Sequence, residues 1–131
     1  KTVMMLGEYM HRNYNGRYYA KAQNLSRKLR ASYDEVLEDF DVIILPTLPQ
    51  TATKLPSPDC SREEYVDAAL NMLRNTAPFD CSGHPAISIP CGFSPNGLPI
   101  GMMIVGKRYD DATVIQAANA YEKKTKSKKR K

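Results

Sequence analysis

The side chains best suited to chemistry at close spacing lie between Cys81 and Cys91. Ser82-Gly83-His84 offers a hydroxyl and an imidazole, the groups that act as nucleophile and base in serine hydrolysis. Neighbours two apart in a turn seldom aim both side chains at one substrate, and a nucleophile also needs donors for the developing oxyanion. Cys81-x-x-His84 with Cys91 nearby has part of a metal-ligand spacing but lacks the second close Cys or His pair of a structural zinc site. Lys21, Lys54 and Lys107 are bases only if desolvated, and nothing around them marks them so. The sequence therefore assigns no catalytic residue and no metal to this chain.

At 131 residues the chain is long enough for one domain with a real core. With 42% hydrophobic and 25% charged residues it has the balance of a globular protein. Its formal charge of +5 comes from the end: Lys123, Lys124, Lys126, Lys128, Lys129, Arg130 and Lys131 contribute seven positive charges, and removing them leaves −2. The expected organisation is a folded body over residues 1–122 and a basic, disordered tail over 123–131. Basicity confined to a tail does not argue for a nucleic-acid partner. No apolar run approaches the ~20 residues that cross a bilayer, so no membrane partner is expected. Cys60, Cys81 and Cys91 are too few and too scattered for a disulfide scaffold, which suggests reduced thiols and a cytoplasmic setting.

The elements that must position these residues follow from periodicity. Tyr18, Ala22, Leu25, Leu29, Tyr33, Val36, Leu37 and Phe40 recur at three and four, the mark of a long amphipathic helix. Its charges run from basic to acidic, against the helix dipole, so it must rely on packing. A shorter helical pattern from Met4 to Met10 precedes it, with a break at Asn15-Gly16. Asp41 to Pro46 is a continuous aliphatic run closed by proline, read as a strand buried on both faces in a parallel or mixed sheet. Ser61 and Glu64 form a capping box before a helix with Tyr65, Ala68, Ala69, Met72 and Leu73 inward. Ala86–Pro90, the turn at Ser94–Gly97 and Ile100–Val105 suggest a hairpin. Asp110 or Asp111 caps a last helix with Val114, Ile115, Ala118 and Tyr121 inward. The class is α/β with short strands flanked by helices. Three short strands cannot hide so many apolar faces, so the rest of the sheet is expected elsewhere. A first residue that is not Met, inside a helical pattern, fits a segment of a longer chain.

Three motifs, in order and spacing, carry a resemblance. They are Asp41-Val42-Ile43-Ile44-Leu45-Pro46-Thr47-x-Pro49, Asn75-x-x-Pro78-Phe79-Asp80-x-x-Gly83-His84-Pro85-Ala86-Ile87-Ser88-Ile89-Pro90-x-Gly92, and Gly97-Leu98-Pro99-Ile100-Gly101. Together they closely resemble the C-terminal region of the amidase-signature enzymes, and the match runs from residue 3 to about 122. The resemblance implies a mixed-sheet α/β fold that hydrolyses amides with a serine nucleophile, a second serine in a cis peptide and a lysine base, without metal or cofactor. No Gly-Gly-Ser-Ser run is present, and no member of that triad can be carried over.

The expected function is thus that of the C-terminal segment of a serine amidase, which hydrolyses a small carboxylic amide to an acid and ammonia or an amine. Its partners would be the N-terminal catalytic part, in the same or a separate chain, and the amide itself; a homo-oligomer is compatible with the sequence. Pro46 and Thr47, just beyond a strand, and Asn75, Thr76 and Phe79, in the loop before the next, are the expected substrate contacts, since ligands in open α/β sheets gather at strand ends. A phenyl ring with adjacent amide and hydroxyl groups suits an apolar amide pocket. Phe79 as a core residue and Asn75 as a helix cap are the structural alternatives. The competing function is a non-catalytic remnant that binds or oligomerises.

Overall fold

A computed structural model describes residues 1–128. Two helices open it, α1 (Thr2–Tyr14) and α2 (Arg17–Asp39), separated where Asn15 and Gly16 both turn left-handed, at φ 48° and 71°. Asparagine and glycine are the residues that tolerate this region. Strand β1 (Val42–Pro46) follows, then α3 (Arg62–Asn71), α4 (Ala77–Ser82), β2 (Ala86–Phe93), β3 (Pro99–Gly106) and α5 (Asp111–Lys128).

β2 and β3 form the expected hairpin, its turn closed by Gly97 N–H donating to Ser94 O at 2.9 Å, with Gly97 at φ 78°. The register slips between Pro90 and Gly92, where proline lacks a ladder donor. β1 pairs antiparallel with the other edge of β3, from Val42 opposite Gly106 to Pro46 opposite Met102, giving the order β1-β3-β2.

The side-chain alternation of β3 defines three layers. Met103 and Val105 face Phe79 of α4 and Tyr33 of α2, joined by Ile43 and Leu45 of β1. Ile104 faces the opposite way, toward Ala118 of α5, with Ile89, Val42 and Tyr121 around it. Val105 is completely enclosed. α5 sits close because residue 106 is glycine: a Cβ there would lie 2.5 Å from Val114 Cγ2. Asp110 supplies the α5 cap, its carboxylate accepting from Thr113 N–H at 3.2 Å.

Several expectations are corrected. Within this chain β1 is an antiparallel edge strand, not one buried on both faces. Ile44 shares the α5 face with Val42, but α5 packs on β2 and β3 and leaves Ile44 59% exposed. α3 begins as read, Ser61 Oγ accepting from Glu64 N–H at 3.1 Å, yet it buries no residue, and Tyr65, Met72 and Leu73 are exposed. Ile115 faces solvent, since one step from Val114 turns about 100° around the helix. α5 runs from Asp111 through Lys128, and residues 129–131 of the expected tail over 123–131 lie outside the described residues.

Candidate functional site

The strand ends hold the site. Along β3 the row Val105, Met103, Gly101 lies on the α4 face, where Phe79 covers the first two. At Gly101 the cover ends. Thr47, one residue past β1, donates its backbone N–H to Gly101 O at 3.0 Å. From the other neighbour of β3, Ser88 of β2 reaches over the same glycine, and Thr47 Oγ1 meets Ser88 Oγ at 2.6 Å. Only glycine permits this bridge: a Cβ at residue 101 would stand 2.9 Å from Thr47 Oγ1 and 3.0 Å from Ser88 Oγ. The two hydroxyls sit in a crevice of about 490 Å³ walled by Leu48, Pro49, Pro99 and Ile100. Such a surface can hold a small neutral molecule by its hydrocarbon part and one polar group.

Of the expected contacts, Thr47 lines this crevice. Pro46 stands beside it and is held from behind, Asn75 Nδ2 donating to Pro46 O at 2.8 Å. That bond ties the turn before α4 to the end of β1. Thr76 is the N-cap residue of α4, with its hydroxyl 3.4 Å from Leu73 O. Phe79 is 5% exposed and its ring packs on Tyr33 at 5.0 Å between centroids. It is a core residue that closes the row behind the crevice, and no face of it reaches the opening. Ser88 and Gly101 complete the site, although in the sequence they look like plain strand and turn residues. The alternation Ile87-Ser88-Ile89 is the signal that would have placed Ser88 on the opposite face from its neighbours.

Ser82 and His84 do meet. Gly83, left-handed at φ 78°, folds the chain so that His84 Nδ1 lies 2.8 Å from Ser82 Oγ, while Nε2 lies 3.2 Å from Asp34 Oδ1 on α2. An imidazole protonated at Nε2 donates to Asp34 and accepts the Ser82 hydroxyl at Nδ1. This is the order of a catalytic triad, but Ser82 is 0% exposed and His84 5%. A nucleophile without access to substrate does no chemistry, and the linkage is a tie between α4 and α2. Arg108 Nε adds a bond to Asp34 Oδ1 at 3.4 Å, bringing in the loop before α5. On the same side, Ser26 Oγ and Arg30 Nε donate to Cys81 O and Ser82 O at 2.7 and 2.8 Å, satisfying carbonyls that a helix end leaves open.

Lys21, Lys54 and Lys107 are all exposed. Cys60, Cys81 and Cys91 are free thiols. Among the described residues no group of three or more His, Cys, Asp or Glu side chains converges to hold a metal ion. No described helix is long and apolar enough to cross a membrane.

The family model described as Amidase matches residues 1–115. An enantioselective amidase of Rhodococcus rhodochrous is 50% identical over 119 residues, covering 90% of this chain and 23% of that protein. One component of the glutamyl-tRNA(Gln) amidotransferase of Lysinibacillus sphaericus is 45% identical over 129 residues, covering 95% of the chain and 25% of that component. Among solved structures, a bacterial aryl acylamidase of the amidase-signature family superposes with a TM-score of 0.66 at 31% identity, over 77% of this chain and 21% of that one. The chain spans between 23% and 61% of the length of the first curated relatives it matches.

Proposed function

The chain belongs to the amidase family, and we propose that it forms the C-terminal part of a serine amidase that cleaves a small carboxylic amide to an acid and ammonia or an amine. In this reading the nucleophile, the second serine and the lysine base come from sequence outside these residues. This chain contributes sheet, helices and one wall of the substrate pocket. Thr47 stands in the wall with Pro46 beside it, Asn75 ties Pro46 to the turn before α4, Thr76 caps that helix, and Phe79 backs the wall from the core.

The observation that carries the reading is the family match, joined to surfaces that ask for a covering layer. Val3, Met4, Met5 and Leu6 of α1, Tyr18, Leu25 and Phe40 on or beside α2, and Tyr65, Leu70 and Leu73 on or beside α3 are exposed. Contiguous apolar surface of this kind is uncommon on a self-sufficient domain. The free thiols support a cytoplasmic setting.

The test is the native mass of the protein isolated from its own cells, with every co-purifying polypeptide sequenced and hydrolysis of small amides assayed. A larger continuous or associated segment with a Gly/Ser-rich motif and an upstream lysine, and ammonia release, is the expected result. A species near 14.7 kDa, or a simple oligomer of it, without hydrolysis would overturn the reading in favour of a non-catalytic remnant.

A further inference from the structure

α2 carries a charge pattern that its own fold leaves unanswered. Arg17, Lys21, Arg27, Lys28 and Arg30 make its first part purely basic, and Asp34, Glu35, Glu38 and Asp39 make its last part acidic. Arg17 and Lys21 stand four apart, as do Glu35 and Asp39, so like charges adjoin on the helix surface and each end opposes the helix dipole. Arg30 and Asp34 are spent on Ser82, His84 and Arg108. Arg17, Lys21, Lys28, Glu35 and Asp39 are exposed, and among the described residues none of them enters an ion pair.

Beside these charges runs an apolar seam. One face of α2 packs inward through Tyr33 and Leu37. Roughly a quarter turn away, Tyr18, Ala22, Leu25, Leu29, Ser32 and Val36 are spaced alternately by four and three, the repeat with which two helices pair along their length. All but Leu29 are exposed. The seam borders a cavity of about 630 Å³ that Leu6 and Met10 of α1 share with Tyr18, and another of about 560 Å³ that Leu25 and Leu29 share with Cys81. Ala22 lines both.

We infer that α2 is the contact of a symmetric dimer, pairing antiparallel with α2 of a second copy of this chain. Charge complementarity selects this occupant. A helix basic at one end and acidic at the other complements itself when reversed, whereas a parallel pair would set like charges together. With the two-fold axis near Arg27, Leu25 meets the partner's Leu29, Ala22 the partner's Ser32 and Tyr18 the partner's Val36, and symmetry makes each contact twice. Along the flank Lys21 faces the partner's Glu35. The cavity of about 560 Å³ is lined from Ala22 to Ser32, so the axis passes through its middle and the partner's leucines fill it. The acidic end brings Val36 and Phe40, both exposed, toward the apolar cavity beside α1. Lys28 falls beside its twin at the axis, a like-charge contact that weakens the pair. The pairing leaves α3 and the open edge of β1 uncovered, and it does not rest on the amidase reading.

The experiment is sedimentation equilibrium of the full protein from its own cells, compared with Lys21→Glu, Glu35→Lys and the double reversal expressed there. A dimer is expected. Each single reversal turns two attractions into two repulsions and should weaken dimerisation about tenfold or more, the double reversal should restore it to within about threefold, and Lys28→Ala should tighten it about twofold. High salt should narrow the gap between each single reversal and the original chain. Circular dichroism checks folding, and if a reversal does not fold, Leu25→Asp at the centre of the seam should separate the subunits. A monomer, a dimer indifferent to these changes, or a loss that the double reversal fails to restore would overturn the inference. So would slow amide exchange across residues 18–36 with the protein monomeric, since another segment would then cover the seam. Amide hydrolysis by the same samples keeps the two readings apart. Turnover by a monomer removes the dimer and leaves the amidase, whereas a rescued dimer without turnover removes the amidase and leaves the dimer.

Discussion

His84 and Asp34, fifty positions apart in the chain, are joined by a 3.2 Å contact between Nε2 and Oδ1 that closes α2 against the turn after α4. The imidazole is enclosed and spends both nitrogens, on Asp34 and on Ser82. Replacing it by leucine leaves the buried Ser82 hydroxyl with only the Phe79 carbonyl at 3.5 Å. We expect His84→Leu to lower unfolding free energy by about 1–3 kcal/mol, read as a lower urea midpoint with an unchanged slope.

Ser82 separates a structural linkage from a catalytic one. Since its side chain is fully enclosed, Ser82→Ala should cost about 1 kcal/mol of stability and, in the amidase proposed above, leave amide turnover within twofold. A fall of several orders of magnitude in kcat, with folding retained, would make the Ser82–His84–Asp34 order a working triad.

Gly106 is the closest approach of α5 to the sheet. A methyl at this position would meet Val114 Cγ2 at 2.5 Å, and β3 and α5 would have to part. Gly106→Ala should destabilise by about 1–3 kcal/mol, the usual range for overpacking. Val114→Ala opens the space, so the double variant should recover part of that loss, giving a coupling energy of more than about 0.5 kcal/mol in a double-mutant cycle. Simple additivity would show that the contact does not set the helix position.

What is legible in the sequence is local. The Asn15-Gly16 break, the Ser61 cap, the Ser94–Gly97 turn and the Asp110 cap all follow from residues within four positions of each other, and the structure has each of them, although of the Ser61–Glu64 capping box it shows only the bond from Glu64 N–H to Ser61 Oγ. The edge position of β1 is not legible, because an aliphatic run reads alike whether both faces are covered here or by a layer from elsewhere. Spacing alone makes Ser82 and His84 no more than neighbours in a turn. Their meeting depends on the left-handed Gly83 and on an aspartate in a distant helix, and neither leaves a mark in spacing. At the crevice, Pro46 and Thr47 follow from the strand-end rule, whereas Ser88 emerges only once β2 and β1 are known to flank β3.

Ser61 tests a cap in isolation. α3 buries nothing, so its first turn depends on the hydrogen bond from Glu64 N–H to Ser61 Oγ. Ser61→Ala should remove about 1 kcal/mol of helix stability, and with no core contact to spread it, the loss should stay local. Amide exchange across Glu64–Ala68 should quicken about fivefold while exchange in β3 is unchanged. A matching rise in β3 would mean that α3 is coupled to the core more tightly than its exposure implies.

The open edge of β1 gives the prediction that bears most on the protein as a whole. In an antiparallel strand alternate residues turn their N–H and C=O groups to one side, so β1 pairs with β3 through one set and presents the other outward. Ile44 of this strand is exposed, as are apolar residues of α1 and α3. The 131-residue chain alone should therefore bind a hydrophobic dye, associate as concentration rises, and exchange about half of its β1 amides quickly. Addition of the N-terminal segment that the proposed function calls for should suppress the dye signal and protect the fast amides, because strand pairing and apolar burial come together. Dye binding already absent from the isolated chain, with every β1 amide slow, would mean that copies of the chain cover one another, and the missing-segment account of these surfaces would fail.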